Sequence, residues 1–107
     1  MGHVGGPNRT TYCSTKFAIE GFTKSLSIEL APKGIRVNSI CPTFIKTPMT
    51  EPFLKDDKFK DQVISMIPIG RLGEIEDLMG PFVFLASEAS SLMTGSSLLV
   101  DGGWTAR

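Results

Sequence analysis

The chain has 107 residues, 41% hydrophobic and 21% charged, with 11 Lys and Arg balanced by 11 Asp and Glu. That length accommodates one globular domain whose core removes roughly 65% of the unfolded surface from water, and it excludes a two-domain enzyme. Zero net charge excludes the electrostatic footprint of a nucleic-acid or anionic-membrane binder, and no apolar run approaches the ~18 residues of a membrane span.

Residues 1–10, with Gly2, Gly5, Gly6, Pro7 and Asn8, show no periodicity and read as a loop. They hold neither a basic run nor an apolar stretch, so they are no signal peptide, and a cytoplasmic location is expected. From Thr11 to Ala31 no proline occurs, and Ala18, Phe22, Leu26 and Leu30 recur every four residues. This predicts an amphipathic helix with those residues on its apolar face, ended by Pro32 and Gly34. Ile35 to Ile40 alternates apolar and polar residues and reads as a strand. Pro42, Pro48 and Pro52 with Thr43, Thr47 and Thr50 then make a polar loop beyond a strand's carboxyl end, the place where open α/β sheets bind ligands.

Residues 54–67 predict a short helix with Lys55, Asp56, Asp57, Lys58, Lys60 and Asp61 outward and Phe59, Val63, Ile64 and Ile67 inward. Glu74 to Glu88 predicts a helix apolar on more than one face, through Ile75, Leu78, Met79, Phe82, Val83, Phe84 and Leu85. Such a helix needs burial on two sides, by its own fold or by a partner subunit. Residues 96–100 predict a last strand before the turn Asp101-Gly102-Gly103. Cys13 and Cys41 lie in no CxxC or Cys/His cluster of the sequence and read as small buried hydrophobes in a reducing compartment. His3 reads as a satisfied loop residue and Trp104 as packing or subunit contact.

Two apolar strands joined by a long helical crossover favour parallel pairing, and a parallel sheet needs helices on both faces. Two strands do not make such a sheet alone. The expectation is the carboxyl-terminal part of a doubly wound, Rossmann-type α/β sheet with its first strands missing. It forms one partial domain over residues 1–107, with no second domain and no internal repeat.

The sharpest chemical signal is Tyr12-Cys13-Ser14-Thr15-Lys16. Four residues along a helix rise about 6 Å and turn through about 40°, so the phenol and the ammonium share a face. A free tyrosine, with pKa near 10, is a poor base at neutral pH, and a cation within about 4–6 Å favours the phenolate. That makes the pair a candidate proton donor and acceptor for an alcohol/ketone couple; the plain alternative is an exposed helical pair.

The run Tyr12 to Ala18, the run Glu29 to Asn38, the loop Pro42 to Thr47, and Thr94-Gly95 through Asp101-Gly102-Gly103 together resemble the short-chain dehydrogenase/reductase family. The resemblance implies Tyr12 as the catalytic acid/base and Lys16 as its electrostatic partner and ligand of the nicotinamide ribose. It implies Pro42, the backbone of Ile45 and the hydroxyl of Thr47 beside the nicotinamide of NAD or NADP, and no metal. Thr43 stands where the family usually has Gly. Residues 43–67 become the substrate loop, and the last helix and strand a subunit interface of a dimer or tetramer.

The family's glycine-rich dinucleotide fingerprint and its catalytic serine, about a dozen residues before the tyrosine, fall outside this sequence. Two functions follow as expectations. One is an NAD(P)-dependent oxidoreductase interconverting a secondary alcohol and a ketone, on a sugar, a sugar acid or a similar small carbonyl compound, with 3-oxoacyl thioesters as the alternative substrates. The other is a truncated, inactive remnant acting at most as an assembly module.

Overall fold

The computed structural model describes residues 2–106; Met1 and Arg107, the ends of the expected domain, lie outside the described residues. After the opening loop comes α1 (Thr10–Leu30), then a 3-10 turn (Ala31–Lys33), strand β1 (Ser39–Pro42), the short helix α2 (Glu51–Leu54) and α3 (Asp57–Ser65). Helix α4 (Glu76–Ala86), a second 3-10 turn (Glu88–Ser90) and β2 (Ser97–Val100) complete the chain. The two strands pair in parallel, Ser39 opposite Ser97 and Pro42 opposite Val100. Helix α4 packs against both strands.

Three boundaries differ from the sequence reading. The predicted strand starts late: Val37 spends its N–H on the Thr94 hydroxyl and its C=O on the Gly95 N–H, so extended chain before Ser39 meets a loop and not a strand. The helix expected over 54–67 divides at Lys55-Asp56, because the Asp56 carboxylate accepts the N–H groups of Lys58 (3.0 Å) and Phe59 (3.2 Å) and starts a new helix there. The last helix gives way to a 3-10 turn at Glu88.

The hydrophobic core lies in the second half of the chain. Val63, Ile67 and Leu72 are buried, with Phe44, Leu54, Phe59, Ile64 and Trp104 packed around them. Trp104 therefore packs, its ring 5.7 Å from that of Phe44. It is held there by Asp101, whose carboxylate accepts the N–H groups of Gly103 (3.0 Å) and Thr105 (2.9 Å).

Helix α1 corrects the sequence reading. The predicted apolar face is open to solvent at Ala18 and Phe22 and only half-buried at Leu26 and Leu30, while Glu20, Thr23 and Ser27 are the residues that bury. The helical spacing is right, but the covered stripe is a polar one. Small polar side chains let another segment approach closely: Gly95, at φ 70°, comes so near that a Cβ there would stand 2.7 Å from the Ser27 Oγ. Helix α4 likewise has no buried residue, and Met79, Phe82 and Val83 lie exposed, so its own fold does not supply the two-sided burial.

Arg36 and Asn38 join the start of the sheet to the end of α4. The Arg36 guanidinium donates to the carbonyls of Leu85 (2.8 Å) and Met93 (3.2 Å) and to the Ser90 hydroxyl (3.1 Å). A cation at a helix carboxyl end also meets the negative pole of the helix dipole. Asn38 donates to the Met93 carbonyl and accepts the Ser96 N–H, both at 3.0 Å.

Candidate active site

Both parallel strands end at a cavity of about 410 Å³. Tyr12 and Arg9 border it from the start of α1, Pro42 from the end of β1, Thr43, Phe44, Ile45, Thr47, Met49 and Thr50 from the loop that follows, and Leu99, Asp101 and Trp104 from the end of β2. Phe53, Leu54 and Phe59 close it from α2 and α3, so residues of the 43–67 segment form much of its wall. A ligand at the carboxyl ends of parallel strands is the usual arrangement of open α/β sheets.

Four of the five residues singled out from the sequence border this cavity: Tyr12, Pro42, Ile45 and Thr47. Lys16 lies one turn further along α1, its ammonium 5.4 Å from the centroid of the Tyr12 ring. The two share a helix face, and the contact runs through the ring face as a cation–π pair. Tyr12 is half exposed at the cavity.

Ile45 forms a parallel bridge with Gly73, in which the Phe44 C=O accepts the Gly73 N–H and the Lys46 N–H donates to the Gly73 C=O, both at 2.9 Å. Strand alternation then turns the amide group of Ile45 to the opposite side. A Cβ at Gly73 would stand 2.3 Å from the Ile45 Cδ1, so a larger residue there would require that side-chain tip to shift. The Ile45 carbonyl accepts the Thr50 hydroxyl at 2.7 Å, and the Thr47 hydroxyl lies 3.2 Å from the same Thr50 oxygen. Thr47 is thus part of a threonine-stabilised turn at the cavity edge.

Arg9 and Thr43 are cavity residues that the sequence did not single out as binding groups. The Thr43 Oγ1 is buried and, among the described residues, has no hydrogen-bond partner. An unsatisfied buried hydroxyl costs about 1–3 kcal/mol, so a ligand that pairs with it gains accordingly. Asp101 is pushed up by burial, but the hydroxyl and N–H of Thr105 and the N–H of Gly103 outweigh this and hold its carboxyl below the ordinary value. It borders the cavity as a carboxylate committed to its own turn.

The cysteine reading needs correction. Cys13 and Cys41 form no disulfide and are half-buried, and Cys41 sits in polar company, its Sγ 3.3 Å from the Glu20 Oε1 and 3.4 Å from the His3 Nε2. Burial pushes the Cys41 thiol up, and its hydrogen bond to Glu20 pushes it further. His3 is engaged in the loop, as expected, but with a thiol and a carboxylate as partners.

A parallel sheet joined by a helical crossover, with a cavity at the strand ends, defines a Rossmann-type α/β protein. The family model described as enoyl-(acyl carrier protein) reductase matches residues 1–105. The chain is 44% identical over 103 residues to a 3-oxoacyl-(acyl-carrier-protein) reductase of Haemophilus influenzae, covering 96% of this chain and 42% of that protein. It is also 44% identical over 103 residues to a 2-dehydro-3-deoxy-D-gluconate 5-dehydrogenase of Bacillus subtilis, covering 96% and 41%. A gluconate 5-dehydrogenase from Burkholderia cenocepacia, solved in complex with NADP and tartrate, superposes with a TM-score of 0.93 at 33% identity, covering 99% of this chain and 42% of that one. The chain belongs to the short-chain dehydrogenase/reductase family, and it spans about two fifths of the length of the relatives it matches.

Proposed function

We propose that this chain carries the acid/base and nicotinamide-side half of an NAD(P)-dependent oxidoreductase that interconverts a secondary alcohol and a ketone. The observation that supports it is the placement of Tyr12, with the Lys16 ammonium on its ring, on the same cavity as Pro42, Ile45 and Thr47. A bound nicotinamide supplies or accepts the hydride. The residues of the chain do the rest. Tyr12 gives a proton to the carbonyl oxygen in reduction and takes it back in oxidation, and the Lys16 cation favours the phenolate that results.

The nicotinamide end of the cofactor fits the residues present. The amide of Ile45 faces away from its bridge with Gly73, and the buried Thr43 hydroxyl and the Thr47 hydroxyl offer further polar contacts to a carboxamide. A glycine-rich phosphate cradle does not occur among the described residues, and none of them is assigned to the pyrophosphate end.

The wall of the cavity supports a substrate class. Phe44, Phe53, Leu54, Phe59, Leu99 and Trp104 make it largely aromatic and aliphatic, which suits a ketone on an aliphatic chain, such as a 3-oxoacyl thioester, better than a polyol. Arg9 at the cavity is the feature that favours the sugar-acid alternative, as a partner for a carboxylate. The exposed Met79, Phe82 and Val83 of α4 support pairing with a second copy.

Fluorescence titration of the purified chain with NADPH and NADH, followed by reduction assays with a 3-oxoacyl thioester and a keto-sugar acid, tests the reading. Saturable binding with reduction of the thioester supports it. Faster reduction of the keto-sugar acid moves the substrate to the alternative class, and absence of binding leaves an assembly role through α4.

A further inference from the structure

A cluster beside the cavity has no part in the chemistry above. His3 and Cys41 border the cavity, and Glu20 of α1 closes behind them. We propose that the His3 Nε2, the Cys41 Sγ and a carboxylate oxygen of Glu20 form a binding site for one zinc ion, whose fourth position is left to water or to a donor atom of a cavity ligand.

The ligand chemistry and the spacing both point there. Imidazole, thiolate and carboxylate are the side chains that bind zinc, and three protein ligands plus an open position is its arrangement in exchangeable sites. With bonds of about 2.0–2.3 Å, the ligand atoms around a tetrahedral zinc stand roughly 3.3–3.6 Å from one another. Here the Cys41 Sγ is 3.3 Å from the Glu20 Oε1 and 3.4 Å from the His3 Nε2, the His3 Nε2 is 3.9 Å from the Glu20 Oε2, and one ligand atom of each residue lies within 4.8 Å of the other two. Rotation of the partly exposed imidazole toward one carboxylate oxygen closes the remaining gap.

Glu20 supplies the independent reason for a cation. It is only 9% exposed, and the one group among the described residues within salt-bridge distance of it is the His3 imidazole, which is neutral unless protonated. The hydroxyls of Ser39 and Ser97 offset the burial of its charge, which leaves a carboxylate ligand with no full cation beside it among the described residues. It is also already oriented. The Ser39 hydroxyl lies 3.1 and 3.0 Å from its two oxygens, and the Ser97 hydroxyl donates to it as well. Ser39 and Ser97 are register partners on adjacent strands, so the sheet itself sets the direction of the carboxylate. Hydrogen bonds of this kind around ligating groups are what hold metal sites in shape. On binding, a Zn–S bond replaces the Cys41 S–H bond, the proton passes to solvent, and no redox change occurs.

Cobalt(II) titration of the purified chain tests this, with zinc as competitor. One equivalent of cobalt is expected to give visible d–d bands of a tetrahedral site and a thiolate-to-cobalt charge-transfer band, both removed by one equivalent of zinc. Cys41→Ser abolishes the charge-transfer band, while Cys13→Ser leaves it unchanged. Ser97→Ala weakens binding about 10-fold through loss of carboxylate orientation, and His3→Gln weakens it at least that much. His3 lies in the opening loop, so His3→Gln decides the matter should Cys41→Ser lose its far-ultraviolet circular dichroism. A wild-type chain with no charge-transfer band, a band that survives Cys41→Ser or vanishes in Cys13→Ser, or unchanged affinity in His3→Gln would overturn the proposal.

Discussion

Helix α1 and the segment from Phe44 to Leu72 solve the problem of burial in opposite ways. The segment buries Val63, Ile67 and Leu72 to 4%, 2% and 3% exposure, whereas α1 leaves Phe22 at 64% and Ile28 at 75% and buries Glu20, Thr23 and Ser27 instead. The segment is held by its own hydrophobic core. The helix is held by polar contacts and close approach, and its apolar side is left for a surface that the described residues do not supply. The chemistry proposed above draws on both: the proton donor stands on the helix, and the wall that shapes the cavity stands on the segment.

The largest expected effect tests whether α1 serves reaction more than stability. Tyr12→Phe should lower the rate of ketone reduction by about 10²–10⁴-fold, the usual contribution of a positioned acid/base. The far-ultraviolet circular dichroism should not change, because the residue is half exposed and loses only a hydroxyl. Next comes the core of the segment. Ile67→Ala should cost about 2–5 kcal/mol in urea unfolding, while Phe22→Ala on the exposed side of α1 should stay within about 0.5 kcal/mol in a monomeric chain. Comparable losses would mean that the two regions are not held differently.

A smaller effect probes the close contact that anchors α1. Gly95→Ala places a side chain at φ 70° and against the Ser27 Oγ, which should cost about 1–3 kcal/mol by thermal unfolding. Ser27→Gly in the same chain should recover only the part due to the clash. The smallest concerns pH. The Arg71 guanidinium and the Glu74 N–H hold the Asp77 carboxyl well below the usual range, and Asp101 is lowered as well. Carboxyls with folded pKa values below their unfolded ones bind fewer protons when folded. Their stabilisation is present above about pH 4 and is lost as the pH falls further. Asp101→Asn should flatten that acid limb in urea titrations run at successive pH values, and Asp77→Asn, which also loses the ion pair with Arg71, should flatten it too.

What the sequence disclosed follows the range over which each signal acts. The inward set Phe59, Val63, Ile64 and Ile67 was readable because helical periodicity sorts residues within a few turns, and all four belong to the core or pack against it. The same periodicity misread α1, since Phe22 and Leu26 report apolarity and not which surface comes to meet it. Tyr12 and Lys16 were readable as a candidate pair from their spacing taken together with the neighbouring runs that carry the family resemblance. The grouping of His3, Glu20 and Cys41 was not, because it joins residues 38 and 21 positions apart through the pleat of a strand whose start was itself misplaced. Thr43 was visible as a residue, but its unpartnered hydroxyl exists only once the cavity closes around it.

The contacts of Arg36 and Asn38 bear on how the sheet finds its alignment. Strands of four residues carry little information about register, and sliding one by a single position turns every side chain to the other face. Here the alignment is set outside the ladder, by side chains that reach Leu85, Ser90, Met93 and Ser96 from just before β1. One slip would strand the guanidinium and the amide away from their carbonyls and turn Ser39 and Cys41 away from Glu20. Two residues outside the strands thus proofread the pairing on which the whole cavity depends.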